Sequence, residues 1–302
     1  MSPGALLYPF DRAWAIADAA ALACMLEASA FKAGNVSALH AFSDTSTSHF
    51  LVSALQVRDI LEADSGDSLG ALVYRMVART RESVGLNTNL GICLLIAPIA
   101  LAKRRFPEDS TADAVARILQ TLSAADSRDV YEAIRAAQPG GLGEAANDEP
   151  DVAHEPPESL RDAMQAAAHR DSIARQYVSD FEDIFEFLVP SLMSDLRKWS
   201  AHANGVLEAI LVLQLRWMAE RRDSLIVRKC GQAIADEACQ LARLALQEVE
   251  EQDSAERANR SVTQGTHWKR LHAFLCADGN KRNPGTTADL IAAALMVCLC
   301  DC

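Results

Sequence analysis

Several polar stretches of this 302-residue chain carry residue types suited to holding or transforming a charged ligand. The most distinct runs Asp278-Gly279-Asn280-Lys281-Arg282-Asn283-Pro284-Gly285-Thr286-Thr287-Ala288-Asp289 and then passes into an apolar run. Asn283, Pro284 and Gly285 are turn formers. Thr286 stands where a helix N-cap belongs, and Asp289 follows three residues on, the spacing of a capping box. The start of such a helix offers free N–H groups and the positive end of its dipole, and with Lys281 and Arg282 beside it would suit a phosphate. A capped core helix behind a solvated loop accounts for the same residues, so both readings stand at this point.

Other stretches share the design. Gly85-Leu86-Asn87-Thr88-Asn89-Leu90-Gly91 opens the apolar run 92–102, a second polar loop at the start of a buried helix. Two such loops could present N–H donors to the same or neighbouring phosphates. If Asp223 caps the helix that follows it, Arg228 and Lys229 lie about one and a half turns in, facing either a phosphate or solvent. Glu27 and Lys32 flank a helix end stopped by Gly34 and Asn35, and read either as site residues or as an ordinary surface pair. Glu144 follows the glycine-rich turn Gly140-Gly141-Leu142-Gly143, where a backbone can approach a ligand closely. Asp44 opens another stretch rich in capping residues.

The elements that must position these groups are helices. Half of the residues are hydrophobic and only 6% aromatic, and alanine and leucine dominate, which favours helix over strand. Helical spacing covers 13–27, 49–62, 68–82, 92–102, two shorter helices within 109–138, 160–188 with an interruption near 178–180, a restart at Pro190, then 205–219, 233–251 and 290–298. No strand-like alternation persists beyond four residues. The expected fold is all-α, a single multi-helix domain over residues 1–302. The runs 92–102 and 290–298 should be its two central buried helices, because a helix apolar all round belongs inside the protein. Residues 144–158, acidic and rich in proline and asparagine, should form a polar surface excursion.

Composition excludes several functions. The net charge of −12, from 41 acidic and 29 basic residues, argues against wrapping a nucleic-acid backbone. The longest uncharged apolar run, 290–300, is too short to span a bilayer, and no basic leader precedes the apolar residues 13–26. Eight cysteines without a CxxC pair suit a reducing compartment, so a soluble, cytoplasmic protein is expected. The tail cysteines Cys298, Cys300 and Cys302 have no second ligand cluster beside them, and their role stays open.

Taken in order, the loops resemble the triphosphoribosyl-dephospho-coenzyme A synthases, the CitG-like proteins. That family's helix ending in Glu and followed by a Lys-Pro-Gly turn is matched by Glu27 and Lys32-Ala33-Gly34-Asn35-Val36, with alanine in place of proline. Its Asn-Thr loop is similar to residues 85–91. Its Gly-rich turn before Gly-Glu-Ala matches Gly140-Gly141-Leu142-Gly143-Glu144-Ala145. Its Asp-Thr segment corresponds to Asp223, Ser224, Arg228 and Gly231, and its Ser/Asn-Pro-Gly-x-x-Ala-Asp-Leu signature is Asn283-Pro284-Gly285-Thr286-Thr287-Ala288-Asp289-Leu290. The matches span residues 20–299. Where decarboxylase-associated members continue with His-Lys-Gly this chain has Asn89-Leu90-Gly91, and where they carry an arginine it has Leu142. The chain therefore looks like a divergent branch, similar to members associated with tetrahydromethanopterin-linked one-carbon pathways.

The resemblance implies a transferase that uses ATP as a substrate. It would join the triphosphoribosyl group of ATP to the ribose 2′-hydroxyl of 3′-dephospho-CoA, release adenine and keep the triphosphate. Phosphate or nucleotide binding would fall to Lys32, Asn35, Asn87, Thr88, Arg228, Lys229, Asn283, Gly285 and Thr286. Glu144, Asp289 and Glu27 would serve the chemical step. Asp44 and Asp223 would share a magnesium ion. Two other readings stay open: a related transferase acting on a pterin or furan cofactor of one-carbon metabolism, and a nucleotide-binding protein without catalysis, which the missing cations favour. Small-molecule substrates, with no nucleic acid and no membrane, are the expected partners; the acceptor and any homo-oligomer are left open.

Overall fold

Between Leu290 and Cys300 the chain offers water nothing to bind, and that run becomes the axis of the molecule. The computed structural model describes residues 8–63, 66–138 and 156–301. Its helices in the first half are α1 (Ile16–Ser29), α2 (Thr47–Ala63), α3 (Leu69–Val84), α4 (Leu90–Arg105), α5 (Thr111–Gln120) and α6 (Ala124–Ala137). Then follow α7 (Leu160–Ala167), α8 (Ser172–Val178), α9 (Val189–Lys198), α10 (Gly205–Glu220), α11 (Ser224–Cys230) and α12 (Gln232–Glu250). The last are α13 (Ser254–Asn259), α14 (Thr266–Leu275), a short irregular α15 (Ala277–Asn280) and α16 (Gly285–Asp301). The one β feature among the described residues is an isolated bridge between Ser37 and His40. The fold is all-α.

Both apolar runs are buried as expected, every residue of 92–102 and of 290–300. Helices α1 and α4 pack on α16. The face of α1 is largely alanine (Ala17, Ala20, Ala23, Cys24, Ala28), so the backbones approach closely, while leucine and isoleucine of α4 and α16 fill the remaining volume. The chain start is tied to the far end of the axis by the Trp14 N–H, which donates to the Leu299 carbonyl at 2.9 Å. Around this core α2, α3, α5 and α6 cover one side, and α9, α10, α12 and α14 the other.

Three local readings change. The helix pattern over 160–188 breaks near 178–180 as expected, where Asp180 and Phe181 take positive φ, and it breaks a second time at residues 168–171, where Asp171 caps α8 by accepting from the Ile173 and Ala174 amides. After α8 it resumes as a π-helical turn, Asp183–Leu188, that runs directly into α9, with Pro190 just past the junction. Helices α13 and α14 occupy a part of the chain to which the sequence pattern assigned none. Finally, α1 ends at Ser29, ahead of Gly34 and Asn35, and Gly34 serves instead in the loop beyond it with φ +75°.

Candidate functional site

The starts of four helices meet at one end of the axis. Asp223 is the hub. Its Oδ1 accepts from the Leu225 and Ile226 amides at 2.9 and 3.0 Å, capping α11. Its Oδ2 accepts from the Thr287 amide and the Thr287 hydroxyl, both at 2.7 Å, capping α16. The capping box expected from Thr286 and Asp289 does not form: a carboxylate 64 residues away has taken the place of the local acid. Thr286 instead accepts from the Ser224 hydroxyl at 3.1 Å, and Ser224 in turn accepts from the Ser172 amide at the start of α8. The fourth helix start is that of α4, where a Cβ placed on Gly91 would sit 2.1 Å from Asp289 Oδ2 and 2.7 Å from Ile173 Cδ1. A glycine is needed there because the Asp289 carboxylate lies directly over it.

Released from capping, Asp289 is half-buried and has no hydrogen-bond donor among the described residues. Burial pushes its pKa well above the ordinary carboxylate range, and the charges of Glu27, Asp223 and Asp171 push it further, against the pull of Arg228. Cys24 of α1 and Cys93 of α4 are near enough to feel its charge; burial raises both thiol pKa values, with smaller contributions from Glu27 and Asp289 on Cys24 and from Cys24 and Asp289 on Cys93.

The expected phosphate ligands divide. Lys32 is wholly buried. Its ammonium pairs with Glu27 Oε1 at 2.8 Å and also donates to the Glu27 and Ala30 carbonyls. Of the two readings open for these residues, the surface pair does not hold: the pair is internal, and the Lys32 ammonium donates to protein groups alone among the described residues. Asn35 is buried and accepts from Gln214, which also clasps the Ala33 N–H and C=O at 2.8 and 2.9 Å. Asn87 is exposed and caps α4 by accepting from the Leu90 amide; Thr88 shares a hydrogen bond with Ser53. Asn283 turns the chain into Gly285, against which the end of the Leu225 side chain packs.

Arg228 remains at the rim, paired with Asp171 Oδ2 at 3.0 Å. Lys229 beside it makes no ion pair with a described residue, and partial burial, together with Arg228, lowers its pKa. Arg282 is held by Asp278 and lies over the Phe274 ring. Asp223, with four donors on its two oxygens, has no acceptor position left for the metal role expected of it. Asp44 is exposed, accepts only from Thr45 among the described residues, and touches none of the other candidates. Glu144 and its glycine-rich turn lie outside the described residues.

Four of the five sequence-selected loops therefore meet. Gly34 packs on Pro284 and Leu275, Gly91 on Asp289, Ser224 on Thr286, and Leu225 on Gly285. Asp171 was missed, since an aspartate between His169-Arg170 and an ordinary helix reads as surface; its place before Ser172 as an N-cap was the available signal.

Residues 13–302 match the family model CitG, described as ATP:dephospho-CoA triphosphoribosyl transferase. The fold is similar to that of a crystal structure from Archaeoglobus fulgidus whose proposed identity is triphosphoribosyl-dephospho-CoA synthase. The TM-score is 0.59 at 23% identity, over 83% of this chain and 98% of that one. No curated protein matches the sequence.

Proposed function

The chain belongs to the ATP:dephospho-CoA triphosphoribosyl transferase family, and we propose that its chemical step takes place at Asp289, where α4, α8, α11 and α16 begin. One observation carries this placement. Asp289 is a carboxyl group without a hydrogen-bond donor among the described residues, packed over the Gly91 backbone and near other acids. A structural carboxylate collects donors, as Asp223 does; one left without them where helices begin is available to a substrate.

In the free protein Asp289 is biased toward its neutral form and can act as a proton donor. As the ribose C1–N9 bond of ATP breaks, the electron pair leaves with adenine, the Asp289 proton passes to the departing base, and the resulting carboxylate steadies the cationic ribose. The 2′-hydroxyl of 3′-dephospho-CoA then attacks C1, and Asp289 takes its proton, restoring the neutral acid. The triphosphate would lie against the helix starts, with Lys229 and Arg228 supplying positive charge.

Magnesium would arrive with the triphosphate and offset its charge. The nearby donors are carboxylate oxygens, which suit a hard cation. Asp171 keeps one acceptor position beyond those given to Ile173, Ala174 and Arg228 and would hold the ion with it; Asp223 would have to give up a cap to do so. The spent donors of Lys32 and the pairing of Arg228 leave few free cations, which favours a metal-assisted grip.

The test is adenine release from ATP, magnesium and 3′-dephospho-CoA by the wild type and by Asp289→Asn, with ATP binding measured by calorimetry. The variant should lose about a hundred- to ten-thousand-fold in turnover while binding ATP almost normally. Equal rates would exclude Asp289. Adenine release by the wild type only with a pterin or furan acceptor would keep the site and change the substrate.

A further inference from the structure

Beside Gly34, three residues from two distant parts of the chain bring two imidazoles and a thiol together. We propose that His40, His272 and Cys276 bind a thiophilic divalent cation of the zinc type. Their ligand atoms all lie within 4.8 Å of one another. The Cys276 Sγ is 3.4 Å from His40 Nε2 and 3.6 Å from His272 Nε2. A zinc ion bound tetrahedrally at about 2.05 Å from nitrogen and 2.3 Å from sulfur holds those two atoms roughly 3.6 Å apart, so both sulfur–nitrogen spacings already suit the ion.

The surroundings hold this spacing. His272 and Cys276 are one turn apart at the end of α14, where a helix C-terminus favours a cation. The His272 ring stacks on Trp268, with centroids 5.0 Å apart and planes 8° from parallel, and meets Phe31 edge-on. His40 is fixed by the paired backbone hydrogen bonds of its bridge to Ser37. Asn280 Oδ1 approaches His40 Nε2 to 3.3 Å, from a segment in which Asp278, Gly279 and Asn280 all have positive φ. Asn280 or water would complete four ligands. The set of soft sulfur and imidazole separates this cluster from the all-oxygen donors around Asp289.

Occupancy would be coupled to the loop. The Gly34 amide donates to His272 Nδ1 at 3.2 Å, so the neutral ring carries its proton on Nε2, facing Cys276. Metal coordination by Nε2 moves that proton to Nδ1, sends the Cys276 thiol proton to solvent, and removes the acceptor of the Gly34 amide. The Gly34 peptide must then turn away, within the loop that carries Lys32 and Asn35.

The experiment is titration of the full-length protein, first reduced and stripped of metal, with cobalt(II) and zinc. Absorption reads the cobalt, and the wild type is compared with Cys276→Ser and His40→Ala. One cobalt per chain is expected, with intense tetrahedral visible bands and a sulfur-to-cobalt charge-transfer band that Cys276→Ser abolishes and zinc displaces. His40→Ala, in a turn outside the helices, should weaken cobalt binding at least tenfold while leaving circular dichroism unchanged. Loss of a second-shell partner alone costs about ten- to a hundredfold in such sites. Faster amide exchange within residues 32–36 on loading would support the coupling. No stoichiometric cobalt, or a sulfur band that survives in Cys276→Ser, would overturn the proposal.

Discussion

Tyr177 donates its hydroxyl hydrogen to the carbonyl oxygen of Leu94 at 2.7 Å, in the middle of the core. That carbonyl lacks its helical partner because residue 98, four further along α4, is a proline without an N–H. The pair joins α8 to α4, and so sets Ile173 and Asp171 against Gly91 and Asp289. Burial raises the Tyr177 pKa far above the ordinary phenol value, so the hydroxyl stays a donor throughout the working range.

Tyr177→Phe should therefore cost about 1–3 kcal/mol, because it leaves a buried carbonyl unsatisfied without making a large cavity. Urea denaturation would measure it. A cost near zero would mean that water or helix distortion satisfies Leu94 instead.

Breaking the Glu27–Lys32 pair should be more damaging. Both side chains are buried and 2.8 Å apart, and removing one partner of a buried pair leaves an uncompensated charge, at about 3–5 kcal/mol. Lys32→Met should destabilise by that order, and Glu27→Gln with Lys32→Met should recover much of the loss. If Lys32→Met left stability unchanged and weakened only ATP binding, the phosphate role expected from sequence would be restored.

Gly91→Ala should lower turnover more than stability. The added methyl would overlap Asp289 Oδ2 and Ile173 Cδ1, forcing the carboxyl to rotate or the start of α4 to shift. Overpacking of this kind costs about 1–3 kcal/mol. The decisive measurement is adenine release at saturating substrates beside the melting curve; an active Gly91→Ala protein would show that the carboxyl is not held over this glycine during catalysis.

What the chain declares locally, it declared well. The axis helix and α4 are legible because an all-apolar run has nowhere to go but the core, and Asp223 is legible as the cap of α11 because its partners are two and three residues away. Asp223 as the cap of α16 is not, because Thr287 lies 64 positions on. The same distant bond undid the capping box of Thr286 and Asp289: a better-placed carboxylate won, and the acid it displaced became the reactive candidate. The surroundings of Lys32 are hidden for a different reason. A long cation before a glycine turn reads either as a ligand or as surface, and only the fold reveals that Glu27 and two carbonyls surround it. The His40, His272 and Cys276 cluster joins segments more than 230 residues apart, which no spacing rule reaches.

The pH dependence of stability offers the last check on Asp289. An unfolded aspartate titrates near 3.9, whereas in the native protein burial, together with Glu27, Asp223 and Asp171, raises the value. Between the two values the native state holds a proton that the unfolded state has lost, so the contribution of this group to stability is full below about pH 4 and falls as pH rises through the native value. Asp126 and Glu248, whose hydrogen bonds lower their pKa values, act in the opposite sense and lose their contribution on acidification. Comparing wild type with Asp289→Asn at each pH cancels them. The variant keeps the side-chain shape but cannot ionise, so it should be the more stable protein at neutral and alkaline pH. Its advantage should shrink toward zero near pH 4, where both side chains are neutral. Denaturation midpoints across this range would show it directly. A variant less stable than wild type at pH 8 would mean that the native protein supplies the ionised carboxylate with a partner, and Asp289 would then be a structural anchor like Asp223.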